Sequence, residues 1–224
     1  MRKINFLLSV ALLAGLTLWN AKAEDHAAEG VAPADAWKKL EAGNARYVAS
    51  KPEHAHQDAA RRTETAAGQK PFAAVLGCAD SRTGPEILFD QGLGDLFVVR
   101  VAGNIVDDST LASLEYSVKH LGVKLIVVLG HSKCGAVQAA VGGVKEDSHL
   151  GVLTAELKES VDLAKKWDGE PLSNAVKANA ILMAQHLENA GPVLKKAVAD
   201  GQLLIVPAVY DLESGTVKKV EAPK

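Results

Sequence analysis

Phe72-Ala73-Ala74-Val75-Leu76-Gly77-Cys78-Ala79-Asp80-Ser81-Arg82 is the stretch from which the rest of the chain is read. Its first half is a run of strand length that is apolar throughout, the pattern of a parallel strand covered on both faces. It ends on a thiol, a carboxylate and a guanidinium. Two further apolar runs behave alike: Leu96 to Val101, followed by Ala102-Gly103-Asn104, and Leu125 to Leu129, followed by Gly130-His131-Ser132-Lys133-Cys134-Gly135. Between them Ser109 can cap a helix that carries Leu111, Leu114, Tyr116, Val118 and Leu121 and stops at Gly122, which makes a βαβ crossover. In open sheets of this kind ligands sit outside the carboxyl ends of the strands, so the three exits converge on one place.

Working outward, Pro33 opens a helix bearing Trp37, Leu40, Tyr47 and Val48, which Lys51-Pro52 ends. Helical segments follow around Leu150 to Lys166, Leu172 to Leu187 and Pro192 to Ala199. A last strand spans Leu203 to Tyr210, and the turn at Glu213-Ser214-Gly215 returns Val217 to Val220 as an antiparallel edge. The prediction is an α/β fold in three layers, with a mostly parallel central sheet of about four strands, helices flanking it and an antiparallel edge strand.

At the amino terminus Arg2 and Lys3 precede an apolar run from Ile4 to Trp19, and Ala21-Lys22-Ala23 is a small-x-small cleavage signal. Residues 1–23 therefore read as a secretory signal peptide, residues 24–32 as a flexible leader, and residues 33–224 as a single domain exported to the periplasm. The run is shorter than the ~20 residues of a spanning helix, and no later stretch could cross a bilayer. A net charge of -2 with scattered lysines gives no basic stripe, which argues against nucleic acid and anionic membrane surfaces as partners.

Cys78, His131 and Cys134 are soft-to-borderline ligands that suit zinc, and three protein ligands leave a fourth position for water or substrate. Asp80 could close the set as a fourth ligand. Arg82, two positions on, competes with the metal for that carboxylate and favours an open, catalytic site. Export supports a different reading of the two cysteines, as a disulfide. What favours a metal is that each cysteine stands beside another competent ligand at the same place after a strand. His54, His56 and Asp58 lie in a polar linker without an apolar wall to organise them, and His120, His149 and His186 read as surface or packing histidines.

Gly77-Cys78-Ala79-Asp80-Ser81-Arg82, Gly94-Asp95-Leu96-Phe97-Val98-Val99-Arg100 and Gly130-His131-Ser132-Lys133-Cys134-Gly135 together resemble the β-class carbonic anhydrases. The likeness runs from about Leu40-Glu41-Ala42-Gly43-Asn44 through Ser113-Leu114-Glu115-Tyr116 to Tyr210-Asp211. It implies a carbonate dehydratase, a lyase that hydrates carbon dioxide reversibly to bicarbonate and a proton, with one zinc ion per chain as the Lewis acid. It implies Cys78, His131 and Cys134 as zinc ligands, Asp80 as a fourth ligand or as the partner of Arg82, and both Asp80 and Arg82 as catalytic. Gln69, Phe97, Tyr116 and Gly135 match the family's substrate pocket, and the subunits would form a homodimer or larger homo-oligomer. Some members carry a tryptophan, associated with an inhibitory bicarbonate site, where this chain has Val75. Two other classes remain at this point: a non-catalytic periplasmic zinc or disulfide protein, and a hydrolase of a carbon dioxide analogue such as carbonyl sulfide.

Overall fold

The computed structural model describes residues 30–145 and 147–223, so the predicted signal peptide and most of the predicted leader lie outside the described residues. In chain order the elements are α1 (Pro33–Val48), α2 (Ala59–Thr65), β1 (Ala73–Gly77), α3 (Pro85–Leu88), β2 (Leu96–Arg100), α4 (Asp108–Leu121), β3 (Leu125–His131), α5 (Gly135–Val141), α6 (Leu150–Glu156), α7 (Lys158–Ala164), α8 (Pro171–Asn189), α9 (Val193–Ala199), β4 (Leu204–Tyr210) and β5 (Val217–Lys219). The strands form one sheet in the order β2-β1-β3-β4-β5. The first four are parallel, and β5 returns antiparallel along β4. This is the predicted α/β architecture.

Successive residues of a strand face opposite sides, and the core divides accordingly. Ala73 and Val75 of β1 with Leu125, Val127 and Leu129 of β3 pack against Ala36, Trp37 and Leu40 of α1 and Leu88 of α3. Ala74, Leu76, Ile126 and Val128 face the other way, onto Leu114 of α4, Val161 of α7 and the long buried face of α8. Both faces of the central strands are therefore dry, which is why they read as unbroken apolar runs. β2, at the sheet's edge, is half-buried over Phe97, Val98 and Val99.

The structure departs from the sequence reading in several places. The cap of α4 is Asp107, not Ser109: Asp107 Oδ1 accepts from the Thr110 N–H at 2.7 Å, and the Asp107 N–H donates to Thr110 Oγ1 at 2.8 Å. Asp107 wins because it is the last residue still extended (φ -126°, ψ 176°), whereas Ser109 already lies inside the helix. The far end behaves as expected, with Gly122 left-handed at φ 71°. The segment from Leu150 to Lys166 is two helices that meet at the wholly buried Leu157. Helices α2, α3 and α5, of 7, 4 and 7 residues, are too short for helical periodicity to reveal. Gly30 and Val31, at the end of the predicted leader, lie against the body: a Cβ on Gly30 would stand 1.9 Å from the Gly122 carbonyl oxygen, and Val31 packs on the α1-side core.

Candidate metal centre

The chain moves from β1 to β2 on one side and from β2 over to β3 on the other, so the strand order reverses between β1 and β3. Their carboxyl ends flank the crevice where such folds bind ligands. Gly77 pairs in register with Leu129, which brings Cys78, just past β1, alongside the end of β3. Cys78, His131 and Cys134 are all buried, and one potential ligand atom of each lies within 4.8 Å of the others. His131 Nδ1 lies 3.0 Å from the Ser132 carbonyl oxygen, to which it donates, so Nε2 carries the free lone pair. That Nε2 is buried with no hydrogen-bond partner. An orphaned ring nitrogen facing two buried sulfurs fits a soft or borderline cation, and zinc is the common one for this donor set.

The sulfurs are prepared electrostatically. Backbone N–H groups of Gly103 and Asp80 donate to Cys78 Sγ at 3.3 and 3.4 Å. The hydrogen bond from Cys134, helped by His131 and these two amides, draws the Cys78 thiol well down from its ordinary value against the effect of burial. Cys134 is pushed up by the neighbouring Cys78 sulfur and by burial, while the amides of Val137 and Ala136 pull the other way. A metal held there would need both sulfurs as thiolates, so Cys134 is the one that would give up a proton.

Asp80 lies beside this group. Its carboxylate accepts from Arg82 Nε at 2.9 Å and Nη2 at 2.6 Å, and from the Arg82 backbone N–H at 2.9 Å. These hydrogen bonds from Arg82 hold the carboxyl far below the usual carboxylate range, opposed by partial burial. Asp80 Oδ2 is 3.9 Å from His131 Nε2. The loop that carries these groups is tied down by residues to which the sequence reading assigned no role. Arg100 Nε and Nη2 donate to the carbonyl oxygens of Cys78 and Asp80 at 2.9 and 2.6 Å, and Thr83 Oγ1 donates to that of Asp80 at 2.9 Å. A basic residue within the apolar run Leu96 to Val101 was the one available signal, for Arg100.

The expected pocket residues are spread apart. Gly135 adjoins Cys134, is exposed, and has open space where a Cβ would stand. Phe97 and Tyr116 meet with ring centroids 6.2 Å apart on β2 and α4, Tyr116 being 47% exposed. Phe97 is in register with Ala74, which is roughly 13 Å along β1 from Cys78 at ~3.3 Å per residue. Gln69 precedes β1 altogether, at the opposite end of the sheet from the thiols. The histidine cluster in the linker does not converge: His56 bonds Asp95 at 2.8 Å, Asp58 caps α2 by accepting from the Arg61 N–H at 2.8 Å, and His54 uses its backbone N–H on Asp90. His120 packs on Tyr116 with ring centroids 5.2 Å apart.

The family model described as carbonic anhydrase matches residues 73–217. The chain belongs to the carbonic anhydrase family. Carbonic anhydrase 2 of Mycobacterium tuberculosis is 42% identical over 192 residues, spanning 82% of this chain and 90% of that protein. The carbonic anhydrase of Mycolicibacterium smegmatis is 40% identical over 190 residues, 83% of this chain and 92% of its own. Among solved structures, the Coccomyxa β-carbonic anhydrase in complex with acetazolamide superposes with a TM-score of 0.65 at 29% identity, covering 84% of this chain and 82% of that one. A tetrameric β-carbonic anhydrase of Sordaria macrospora gives 0.67 at 27% identity, covering 84% and 98%. The family match spans Cys78, His131 and Cys134, which are close enough together to bind a metal ion, and β-carbonic anhydrases use zinc. Among the described residues no helix is long and apolar enough to cross a membrane.

Proposed function

We propose that the chain hydrates carbon dioxide reversibly to bicarbonate and a proton, with zinc held by Cys78, His131 and Cys134. The observation that carries this is the buried, unpartnered Nε2 of His131 facing two buried sulfurs. Bound there, zinc would supply a Lewis acid that makes water a nucleophile near neutral pH. Arg82 keeps Asp80 ionised and aimed, so a free lone pair of that carboxylate can accept a proton of the attacking water and orient it. When the carboxylate leaves Arg82 it is near enough to serve as a fourth ligand, which makes Asp80 and Arg82 an on–off pair. Metal analysis together with a carbon dioxide hydration assay tests the reading: zinc near one per chain with turnover supports it, and full activity without metal overturns it. Carbonyl sulfide turned over faster than carbon dioxide in the same preparation would reassign the substrate.

The active unit we propose is a homo-oligomer. Gln69, Phe97 and Tyr116 are too far from their own chain's thiols to share a pocket with them, and the half-exposed apolar edge of β2 suits contact with a second copy. The substrate pocket would then join the ligands and Gly135 of one subunit to Gln69, Phe97 and Tyr116 of another. Export to the periplasm rests on the charged, apolar and small-residue pattern of residues 1–23. Protein recovered from the periplasm should begin at Glu24, and an intact Met1 on a membrane-bound product would contradict cleavage.

A further inference from the structure

Behind the metal centre a line of polar groups crosses the apolar layer between the sheet and α7 and α8. Ser160 of α7 and Asn179 of α8 are 0% and 1% exposed, surrounded by a core cluster that includes Leu157, Val161 and Met183. Ser160 Oγ donates to Asn179 Oδ1 at 3.1 Å, and Asn179 Nδ2 donates to the Gly103 carbonyl oxygen at 2.8 Å. Gly103 in turn presents its N–H to Cys78 Sγ at 3.3 Å. Burying an amide and a hydroxyl costs free energy unless they are hydrogen-bonded, and here their bonds lead to one backbone group, the Gly103 carbonyl oxygen.

Gly103 is left-handed at φ 75° and ψ 10°, and a Cβ there would press on Leu157 Cδ1 at 3.2 Å. A glycine in this turn has wide conformational freedom, so its N–H faces the sulfur only if the peptide beyond its Cα is fixed. Asn179 holds that peptide by its carbonyl oxygen, while the Asn104 N–H holds it from the other side by donating to the Val101 carbonyl oxygen at 3.0 Å.

We propose that Asn179 is a positioning residue for the metal ligand Cys78, acting through Gly103. The N–H···S bond holds Cys78 in place as a thiolate, which favours binding of the ion, and withdraws charge from the sulfur, which would leave that ion a stronger Lewis acid. The inference rests on Cys78 being a zinc ligand, as proposed above. Ser160 satisfies the other end of the Asn179 amide by donating to its oxygen, while the Gly103 carbonyl oxygen, able only to accept, itself selects the amide nitrogen.

The test compares Asn179→Leu with Ser160→Ala in full-length protein. Both leave a buried polar atom unpaired and both lower stability, but Ser160→Ala retains the Asn179 donor to Gly103. Zinc affinity is read by competition with a chromophoric chelator, and the thiolate by the sulfur-to-metal charge-transfer band of the cobalt(II)-substituted protein. Asn179→Leu should weaken zinc binding about tenfold to a hundredfold and move the cobalt band to lower energy. Ser160→Ala should leave the band in place. If both variants lose affinity in step with their stability and neither moves the band, Asn179 is structural and the inference fails. Wild-type protein that takes up neither zinc nor cobalt overturns the metal reading itself and the inference with it. Should Asn179→Leu not fold, Asn179→Ser, too short to reach Gly103, is read in the same way.

Discussion

Asp80 and Arg82 are locked in a two-point grip, Nε on Oδ1 at 2.9 Å and Nη2 on Oδ2 at 2.6 Å, although the Arg82 side chain is otherwise half-exposed. An exposed ion pair is worth little to the fold, so its effect is to be sought in the chemistry. Arg82→Ala should leave zinc near one per chain, since no ligand is touched, and lower turnover on the order of a hundredfold because Asp80 loses the group that aims it. Zinc counted alongside the rate decides the matter. Normal turnover with normal zinc would make Arg82 a surface residue.

The same grip fixes a pH behaviour. Because the Asp80 carboxyl is depressed, the stability its ionisation contributes is complete above the unfolded value of about 3.9 and is lost as pH falls through the lower folded value. No titration of Asp80 should therefore be found from pH 5 upward, and any rise of activity there belongs to another group. Carbon-13 NMR of the Asp80 carboxyl, assigned with Asp80→Asn, should show a midpoint below the usual range that rises in Arg82→Ala. A wild-type midpoint at or above the ordinary value would contradict the pairing.

The strands and the clustering of Cys78, His131 and Cys134 were legible for one reason: in a sheet covered on both faces, strands are apolar without interruption, and the polar groups begin where the apolar run ends. Cys78, His131 and Cys134 stand at such ends. The groups that hold them were not legible. Arg100 acts on the backbone of a loop it does not neighbour in sequence, and Asn179 meets Gly103 through packing of α8 against the sheet. Gln69, Phe97 and Tyr116 could be proposed for the pocket from family likeness, but nothing local says that they lie away from the thiols of their own chain. The cap at Asp107 was missed because the end of the extended backbone, not the residue type, selects between Asp107 and Ser109.

Removing one sulfur tests the ligand set directly. Cys134→Ser should abolish zinc binding and hydration together, and lower the melting temperature of the zinc-loaded preparation, since metal binding is linked to folding. Retention of one zinc per chain, measured by atomic emission after dialysis, would show that Cys134 is not a ligand.

Asn44 offers a test of the frame that supports the site. Its amide donates to the carbonyl oxygens of Leu88 and Gly215 at 3.0 and 2.9 Å and accepts the Val217 N–H at 2.9 Å, joining α1 to α3 and to the β4–β5 turn. Gly43 beside it has no room for a side chain, because a Cβ would stand 1.7 Å from the Phe89 carbonyl oxygen. Asn44→Ala should cost about 3 kcal/mol by leaving one buried and two half-buried backbone groups without their partner. Urea unfolding should show it as a lower midpoint with unchanged slope, and a loss under about 0.5 kcal/mol, the range of ordinary surface substitutions, would show that water replaces the amide.

A pocket shared between subunits makes a prediction that a pocket within one chain does not. Cys134→Ser disables the ligand half of a site and Gln69→Ala the substrate half, so each homo-oligomer should be impaired. In a two-fold pair of one chain of each kind, one composite site carries both defects and the other carries neither. Co-expressed chains with different tags, purified through both, should therefore recover activity that neither variant has alone, with zinc present in one kind of chain only. If every group of a site came from one chain, the mixed pair would show no more than the sum of its parts. A Gln69→Ala homo-oligomer of full activity would remove Gln69 from the pocket before the mixing is done. Recovery in the mixed pair is the outcome expected of a pocket built from two subunits, the arrangement we propose from the separation of Phe97 and Cys78 along β1.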